Sequence, residues 1–549
     1  MALKKIKIEN FKIFENFELE FNKGVNILVG DNEVGKSTIL EAIHLVLTGM
    51  INGKHINTEL TQYLFNNVVV KKYIDSLKTN SPLPPPQIKI ELFFHQSDEA
   101  AILMGGINSE RDNEALGVFC IIALESEIEY NELVKMGDIK TLPIEYYDVK
   151  WFTFADKPIS TKSIPIKSAL IDSSLARYAN GSDIYISRIV RQSLDDSDKV
   201  KISQAHRQML ETFISNPSVN EINKKISDNA RITNKQISLS VELLSKNSWE
   251  DSFVTCIDTI PFHYVGKGEQ CIIKTRLALS DRKAKEASVI LMEEPENHLT
   301  HAKLNQLVSI VSSECIGRQV IMTTHSSFVA NKLGLNNIIL LGNYGNKTRF
   351  DNLSVIGTPD FFNKLPGYDT LRLVLSKKVI LVEGASDELV VQKAYMLAYD
   401  GKLPIMDEID VISVGTSFLR FLEIASHLSK RVAVVTDNDG DIAAIEKKYT
   451  DYIGENKKDH ILISYDKTDL TPTENRMLDY NYNTLENLML ISNGISDMNT
   501  ILSTSYTTEN DLRKHMRSHK TDCALSIFEY ADTIKFPEYI AEAIKYVHQ

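Results

Sequence analysis

Alternating apolar and polar residues open the chain. The run from Ile6 to Phe21 alternates on either side of a short turn, which predicts a β-hairpin. The mostly apolar run from Val25 to Val29 predicts a buried strand, and the helical apolar spacing from Thr38 to Leu47 predicts a helix directly after it. Alternating segments at 87–94 and 117–124 predict strands that continue the sheet. The N-terminal part is therefore expected to have an α/β fold.

The pattern changes in the middle of the chain. From about Lys167 to Lys246 the sequence is polar and helical in spacing, with few strong strand signals. We interpret this segment as a helical insertion, which is either a plain helical face or an arm for dimerisation or for gripping a substrate. After it, the α/β pattern returns.

Short apolar strands characterise the C-terminal part. They are separated by segments of helix length and lie at 379–382, 411–414, 432–435 and 461–463. This alternation predicts a second, compact α/β domain with a largely parallel sheet. We predict that the first domain consists of residues 1–166 and 251–374, with the helical insertion at 167–250 between them, and that the second domain spans 375–549.

Composition narrows the class of protein. The 549 residues are 43% apolar and 24% charged, contain no apolar stretch as long as a membrane span, and begin with a strand pattern rather than a signal peptide. Five scattered cysteines without C-x-x-C pairing favour a cytoplasmic protein without structural zinc or disulfides. The net charge of −12 argues weakly against a large nucleic-acid-coating surface but leaves room for a local basic groove.

A phosphate-binding motif lies between the predicted strand and helix. Gly30 to Ser37 fits G-x-x-x-x-G-K-[ST], in which backbone N–H groups and a helix N-terminus face an anion. Lys36 would add a charge on the outer phosphates and Ser37 a hydroxyl ligand for Mg²⁺. The chain is therefore predicted to bind a nucleoside triphosphate, expected to be ATP, through Gly30, Asn32, Gly35, Lys36, Ser37 and Thr38.

Further motifs fit the same ATPase site. The apolar strand that starts at Val289 ends in Glu293, which suits a carboxylate in the Mg²⁺ shell, and Glu294, which suits the residue that orients the attacking water. A second strand, at 320–324, ends in His325, which we expect near the γ-phosphate. The segment 265–270, with Gly268, resembles a signature loop that presents backbone N–H groups to the nucleotide of a partner subunit.

This order of motifs, together with the opening strand that contains Asn10 and Phe11, resembles the ABC-type ATPase heads of the RecF and SMC group over roughly residues 1–370. In that group two heads enclose two ATP molecules. The resemblance therefore implies a homodimer, or a higher homo-oligomer, that assembles through its ATPase heads when nucleotide is bound.

Carboxylates follow the predicted strands of the second domain. Glu383 and Asp387 follow the first strand, and Asp437 and Asp439 follow a later one. The carboxyl ends of parallel strands meet at one edge of a sheet, and oxygen-only ligands select Mg²⁺ or Mn²⁺. The alternative is a calcium site or acidic loop ends on an inert domain. The paired motifs resemble a Toprim domain, the metal-binding fold of topoisomerases, primases and several nucleases.

An ABC-type head followed by a Toprim domain resembles the OLD (overcoming lysogenization defect) family of nucleases. This resemblance implies that Glu486 is a further metal ligand and that Lys535 stabilises the charged transition state. It also implies two metal ions at Glu383, Asp387, Asp437, Asp439 and Glu486, with Glu388 an open alternative to Asp387.

The leading hypothesis is an ATP-regulated, metal-dependent DNA endonuclease. Family resemblance suggests a role in anti-phage defence, alone or with a helicase-like or a retron reverse-transcriptase partner. One alternative is a RecF-like ATP-dependent DNA clamp without nuclease activity. Another is a primase or topoisomerase, although neither a zinc ribbon nor a tyrosine nucleophile loop is evident in the sequence.

Overall fold

A computed structural model describes residues 1–79, 81–96, 102–136, 139–172, 194–229, 240, 254–280, 288–297, 299–314, 317–342, 345–350, 357–470 and 480–549. The chain divides into two compact units. Unit 1 comprises Met1–Thr324 and Leu341–Lys347, and unit 2 comprises His325–Leu340 and Thr348–Gln549.

The strands are β1 Leu3–Phe11, β2 Phe14–Glu20, β3 Val25–Gly30, β4 Met50–Ile51, β5 Lys54–His55, β6 Ile88–Phe94, β7 Leu116–Leu124, β8 Tyr147–Thr153, β9 Ser168–Asp172, β10 Cys256–Ile257, β11 Ile260–Pro261, β12 Val289–Glu293, β13 Gln319–Thr323, β14 Ile338–Leu341, β15 Lys347–Arg349, β16 Lys378–Val382, β17 Ile409–Ser413, β18 Arg431–Val435 and β19 Ile461–Ser464. The α-helices are Lys36–Thr48, Ile56–Glu59, Asn67–Ser76, Glu127–Met136, Asp196–Ile214, Pro217–Asn229, Lys267–Ser280, His301–Glu314, Ser327–Leu333, Thr358–Lys364, Thr370–Leu375, Ala385–Ala398, Phe418–His427, Ile442–Lys448, Leu485–Ile501, Glu509–Ser518, Lys520–Glu529 and Glu538–His548. Within the described ranges, every helix is too short or too polar to span a bilayer.

An antiparallel sheet contains the N-terminal hairpin. Its strand order is β2-β1-β6-β7-β8, and β1 pairs with β2 so that Ile6 lies opposite Leu19 and Ile8 opposite Phe17. These four side chains are buried, because alternate residues of each strand face the core. The predicted hairpin and the two strands that continue its sheet are confirmed.

A parallel arrangement of strands supports the phosphate-binding motif. In unit 1, β3, β13, β12 and β9 are neighbours in that order within one sheet, and each pairs in parallel with the next. The central residues of β3, β12 and β13 are buried, as is typical of parallel strands covered on both faces, whereas the central residue of β9 is half-buried. The residues that follow β3 and β12 therefore lie at the same edge of the sheet.

Strand β9 corrects one detail of the sequence analysis. Ser168–Asp172 falls at the start of the predicted helical insertion, but it pairs in parallel with β12 and belongs to the sheet of unit 1. Further along, Asp196–Ile214 and Pro217–Asn229 are helices. Residues 173–193, 230–239 and 241–250 of the predicted insertion lie outside the described residues. A dimerisation role for the insertion stays a prediction, as do the domain boundaries.

Unit 2 contains the second parallel sheet. Its strand order is β17-β16-β18-β19, and all neighbouring pairs are parallel. Ile380 of β16 and Ala433 of β18 are fully buried in a core that also contains Tyr395 and Ile540 of the flanking helices. The four predicted strands of this domain are confirmed, and their carboxyl ends form one edge.

Candidate functional site

A cavity of about 330 Å³ lies where β3 meets the helix Lys36–Thr48. The helix N-terminus and the preceding loop direct backbone N–H groups toward it, as an anion site requires. Five of the predicted nucleotide-binding residues line the cavity: Asn32, Gly35, Lys36, Ser37 and Thr38. Lys12, Ile13, Glu33 and Glu294 complete the lining, and Lys12 and Ile13 were not expected from the sequence.

The second glycine of the motif is required by geometry. Gly35 has φ +96°, in the left-handed region, and a Cβ atom there would lie 2.3 Å from Cζ of Phe14. The turn of the N-terminal hairpin therefore packs directly against the phosphate-binding loop. This contact explains why Ile13, a residue of that turn, lines the cavity.

Lys36 is a buried cation at the cavity. Its ammonium donates to the carbonyl oxygens of Gly30 and Asp31, both at 2.9 Å. Burial lowers the pKa of Lys36, and the charges of Glu294 and Asp31 offset part of that effect. A buried ammonium whose hydrogen bonds go to neutral carbonyls is suited to receive an anionic ligand.

The acidic pair after β12 lies at the same edge of the sheet. Glu293 is the last residue of β12 and lies opposite Asp172 of β9. Glu294 has φ +37°, its backbone N–H donates to Oγ1 of Thr323 at 3.0 Å, and its side chain lines the cavity. The strand end thus brings Glu294 to the pocket, while the catalytic roles of both glutamates stay predictions.

The residues after β13 include the predicted histidine. Thr324 is fully buried, and its Oγ1 donates to Oε1 of Glu296 at 2.6 Å. His325 follows Thr324 and is exposed. A contact of His325 with the γ-phosphate stays a prediction.

The signature-like segment is fixed to the loop that follows β12. Gly268 lies in the first turn of the helix Lys267–Ser280, so its N–H group belongs to the helix N-terminus rather than to a loop. Cys271 of this helix donates through Sγ to the carbonyl oxygen of Pro295 at 2.9 Å. At Gly266, directly before the helix, a Cβ atom would meet no described atom within 4 Å.

In unit 2, a short loop after β18 holds two of the predicted ligands. Asn438, between them, is buried and donates through Nδ2 to the carbonyl oxygens of Asp466 and Thr468, at 2.7 and 3.0 Å. Asp437 Oδ2 accepts a hydrogen bond from the backbone of Leu485 at 3.1 Å, and Asp439 Oδ1 accepts one from Asn481 at 2.7 Å. Asn438 therefore anchors the loop.

The choice between Asp387 and Glu388 follows from their neighbours. Burial raises the pKa of Asp387 to about 6, and the charges of Glu383 and Glu486 contribute to the increase. Burial also raises the pKa of Glu388, but the charges that act on it are those of Arg372 and Asp410. Asp387 is thus the residue whose pKa responds to the charges of the other predicted ligands, and its role as a metal ligand stays a prediction.

The predicted carboxylate ligands differ in exposure: Glu486 is buried, Asp387 and Asp437 are half-buried, and Glu383 and Asp439 are exposed. Burial raises the pKa of Asp437 well above its ordinary value, and the charges of Asp387, Glu486 and Asp439 add to this effect. The hydrogen bond from Leu485 opposes it only in part. Like charges that act on one another in this way favour either protonation or a bound cation.

The lysine that contacts this cluster is not the predicted one. Lys520 Nζ lies 2.9 Å from Glu486 Oε1. Lys535 is exposed, and its backbone N–H and carbonyl groups are hydrogen-bonded to the side chain of Asn493. No sequence motif singled out Lys520, and the role of Lys535 stays a prediction.

The donor set fits a divalent cation in part. Oδ1 of Asp437 is buried without a hydrogen-bond partner among the described residues, and the surrounding ligands are all carboxylate oxygens. Among the described residues, no three His, Cys, Asp or Glu side chains lie close enough together to hold a metal ion. Hydrogen bonds to Asp387 and Asp439 and the ion pair at Glu486 hold three of these carboxylates.

Comparisons with known proteins match both units. The family model described as "AAA domain" matches residues 5–288, slightly more than half of the chain. The model described as "Overcoming lysogenization defect protein-like, TOPRIM domain" matches residues 374–439.

Curated relatives and solved structures are similar to parts of the chain. The DNA replication and repair protein RecF of Clostridium acetobutylicum is 28% identical over 127 residues, covering 23% of this chain and 33% of that protein. RecF of Clostridioides difficile is 28% identical over 206 residues, covering 34% and 52%. The chain therefore spans between a third and about half of the length of these relatives. The SMC head domain from Thermotoga maritima is 14% identical with a TM-score of 0.30, covering 63% of this chain and 98% of that one.

A phosphate-binding loop on a parallel sheet, joined to a TOPRIM domain, defines an ATPase of mixed α/β fold with a nuclease-like second domain. The fold class expected from the sequence is confirmed. The chain belongs to the AAA domain family, and its two domains together are those of the OLD family.

Proposed function

We propose that this protein is an ATP-binding and ATP-hydrolysing, divalent-metal-dependent DNA endonuclease. In this proposal the TOPRIM domain hydrolyses a phosphodiester bond, and the ATPase domain controls it. The combination of an AAA domain with an OLD-like TOPRIM domain supports this function. The observation that carries it is the buried Oδ1 of Asp437, which has no hydrogen-bond partner within the described ranges and is influenced by the charges of other carboxylates.

The residues of the ATPase domain have separate roles in the proposal. Lys36 would exchange its two carbonyl acceptors for the outer phosphates of ATP. Ser37 and Glu293 would hold Mg²⁺, and Glu294, which lines the cavity, would orient the attacking water. Gly268 and His325 would complete the nucleotide contacts.

In the TOPRIM domain, Glu383, Asp387, Asp437, Asp439 and Glu486 would hold Mg²⁺ or Mn²⁺. The bound ions would activate water and stabilise the leaving oxygen of a phosphodiester. Asn438 keeps the loop of Asp437 and Asp439 in place, and the N–H of Leu485 orients Asp437. Lys535 would supply positive charge to the phosphate in the transition state.

Cleavage of a plasmid tests the proposal. Purified protein is incubated with plasmid DNA and Mg²⁺ or Mn²⁺, with and without ATP, and Asp437→Asn and Lys36→Ala are treated in the same way. Metal-dependent cleavage by the unmodified protein that is lost in Asp437→Asn supports the nuclease function. Cleavage by Lys36→Ala, compared with and without ATP, distinguishes a nucleotide that drives cutting from one that restrains it. The absence of cleavage under every metal, nucleotide and partner condition would refute the proposal.

A RecF-like DNA clamp without nuclease activity is the second candidate. The similarity of part of the chain to RecF proteins favours it. Against it stands the cluster of carboxylates, which would repel phosphate unless a cation is bound. DNA binding by the unmodified protein that depends on ATP and never leads to cleavage would favour the clamp.

We further propose that the protein acts on DNA as a homodimer, or higher homo-oligomer, joined through its ATPase heads, in defence against phage. A helicase-like protein or a retron reverse transcriptase with its DNA is a candidate partner. Plaque formation on cells that produce the unmodified protein or Asp437→Asn tests this role. Equal protection by both proteins would show that the defence does not depend on the TOPRIM centre.

A further inference from the structure

One lysine lies against the proposed metal centre of the TOPRIM domain. Lys520 is the first residue of the helix Lys520–Glu529, which follows a break in the helical backbone at His519. Its ammonium is 2.9 Å from Glu486 Oε1, and the two side chains are 51% and 10% exposed, respectively. The backbone of Lys520 is thus fixed by a helix, while the half-exposed side chain has room to move.

Lys520 also lies in the field of other carboxylates. Burial lowers the pKa of Lys520, but its hydrogen bond to Glu486 and the charges of Glu486, Asp437 and Asp387 outweigh that effect and raise the pKa above the ordinary value. The ammonium therefore contacts Glu486 directly and interacts electrostatically with Asp437 and Asp387. It is a cation placed where a metal ion would otherwise supply the positive charge.

Three of the four other proposed ligands have neutral hydrogen-bond donors. Asp437 accepts from the backbone of Leu485, Asp387 accepts from the backbone of Gly384, and Asp439 accepts from the amide of Asn481. Where both partners belong to the described part of the chain, Glu486 is the one carboxylate of this cluster with an ion pair to a full positive charge. Because two cations on one carboxylate repel each other, a metal ion at Glu486 must share this carboxylate with Lys520 or displace it.

We infer that Lys520 is an internal counter-ion that competes with the divalent cation for Glu486 and thereby weakens metal binding at the TOPRIM centre. This inference rests on the metal centre of the proposed function. The inference predicts an effect of Lys520 on metal affinity that is opposite in direction to the effect of a positioning role. A lysine that merely positioned Glu486 would strengthen metal binding, whereas a competing lysine weakens it.

Calorimetric titration of the nucleotide-free, full-length protein with Mn²⁺ tests the inference. Lys520→Gln removes the charge and keeps most of the side-chain length, and Lys520→Arg keeps the charge. Lys514→Gln is the matched control, since Lys514 is an exposed lysine of the preceding helix. Asp437→Asn serves as the blank that identifies the heat of the TOPRIM centre.

We expect the Mn²⁺ dissociation constant to fall by about three- to tenfold in Lys520→Gln, as suits an ion pair between one half-exposed and one nearly buried partner. Lys520→Arg and Lys514→Gln should stay within about twofold of the unmodified protein. Thermal unfolding in EDTA checks that each variant is folded. The increase in unfolding temperature on addition of Mn²⁺ gives a second readout, which should be larger in Lys520→Gln.

Two results would overturn the inference in different ways. An equal or weaker affinity in Lys520→Gln, beside normal binding by the unmodified protein, would leave the metal centre intact and refute competition by Lys520. If the unmodified protein shows no heat that Asp437→Asn removes, then the metal centre of the proposed function fails and the inference fails with it.

Discussion

The backbone N–H of Leu485 donates a hydrogen bond of 3.1 Å to Oδ2 of Asp437. This contact joins the loop after β18 to the first residue of the helix Leu485–Ile501. The next residue of that helix is Glu486, so two carboxylates far apart in the sequence become neighbours. Oδ1 of Asp437 remains without a partner among the described residues, which leaves it available to a cation.

The substitution Asp437→Asn should remove the charge of this side chain and leave the fold intact. The amide keeps an oxygen that can accept the hydrogen bond of Leu485, and it removes a buried charge that Asp387 repels. We expect cleavage of plasmid DNA to fall by about a hundredfold or more, because a lost metal ligand costs several kcal/mol in the transition state. In EDTA, the unfolding temperature should equal or exceed that of the unmodified protein.

A neighbouring aspartate supplies the control for this experiment. Asp441 accepts a hydrogen bond from the backbone of Ala444 as the N-cap of a short helix, and Asn caps helices about as well as Asp does. Asp441→Asn should therefore retain cleavage within about twofold. Full cleavage by Asp437→Asn would contradict the assignment of Asp437 as a metal ligand.

The effect of Mg²⁺ on stability should depend on pH. Burial and neighbouring charges raise the pKa of Asp387 from 3.8 to about 6. For an acid whose pKa is raised by folding, the folded state is favoured while the group is protonated, and this stability is lost as the pH rises from about 4 to above 6. Bound Mg²⁺ would compensate the charge that appears over this range.

Thermal unfolding measures this dependence directly. The increase in unfolding temperature on replacing EDTA with Mg²⁺ should be larger at about pH 7.5 than at about pH 5. In Asp437→Asn the increase should be much smaller at both pH values, because the centre has lost a ligand. An Mg²⁺ effect that is equal at both pH values would argue against a buried, charge-crowded centre at Asp387.

Elements with a strong local pattern could be predicted from the sequence. The hairpin, the strand before Gly30 and the four strands of the TOPRIM sheet each show an apolar pattern within a few residues. Asp437 and Glu383 follow such strands directly, so strand topology alone brings them to one edge. The positions of these carboxylates therefore follow from local sequence together with the rule that parallel strands end on the same side.

Features that depend on distant packing could not be predicted in this way. Strand β9 contains only three apolar residues, and its strand character depends on pairing with β12, which is remote in the sequence. The contact between Lys520 and Glu486 depends on the chain direction after His519 and on how two helices pack. The resemblance to the OLD family selected Lys535 as the functional lysine, whereas only the three-dimensional arrangement could identify Lys520.

Gly35→Ala should disrupt the nucleotide pocket. The left-handed φ of +96° disfavours a side chain by about 1–2 kcal/mol, and the added Cβ would also meet Cζ of Phe14 at 2.3 Å. We expect a lower unfolding temperature and a loss of ATP affinity of about tenfold or more, because the loop must move away from its anion-binding geometry. Binding of a fluorescent ATP analogue and thermal unfolding provide the two measurements.

Gly266→Ala is the matched control for that substitution. A Cβ at Gly266 meets no described atom within 4 Å, so the stability of the isolated chain and its ATP affinity should both stay within error of the unmodified protein. Loss of ATP affinity in Gly266→Ala to the same degree as in Gly35→Ala would show that glycine is needed at 266 for a reason internal to the chain.

A larger side chain at Gly266 should instead affect assembly. The segment before the helix Lys267–Ser280 is expected to face the nucleotide of a second subunit, so the side chain of Gly266→Leu, whose Cβ meets no described atom within 4 Å, should block the approach of the partner. Glu294→Gln, which keeps the size of the side chain that lines the cavity, should slow ATP hydrolysis and hold the ATP-bound dimer together. Light scattering after gel filtration with ATP should therefore show a dimer for Glu294→Gln and a monomer for Glu294→Gln combined with Gly266→Leu.

Equal ATP affinity in the two proteins is required, because a loss of binding would explain the monomer without any contact between subunits. A dimer in both proteins would place the partner's nucleotide away from Gly266.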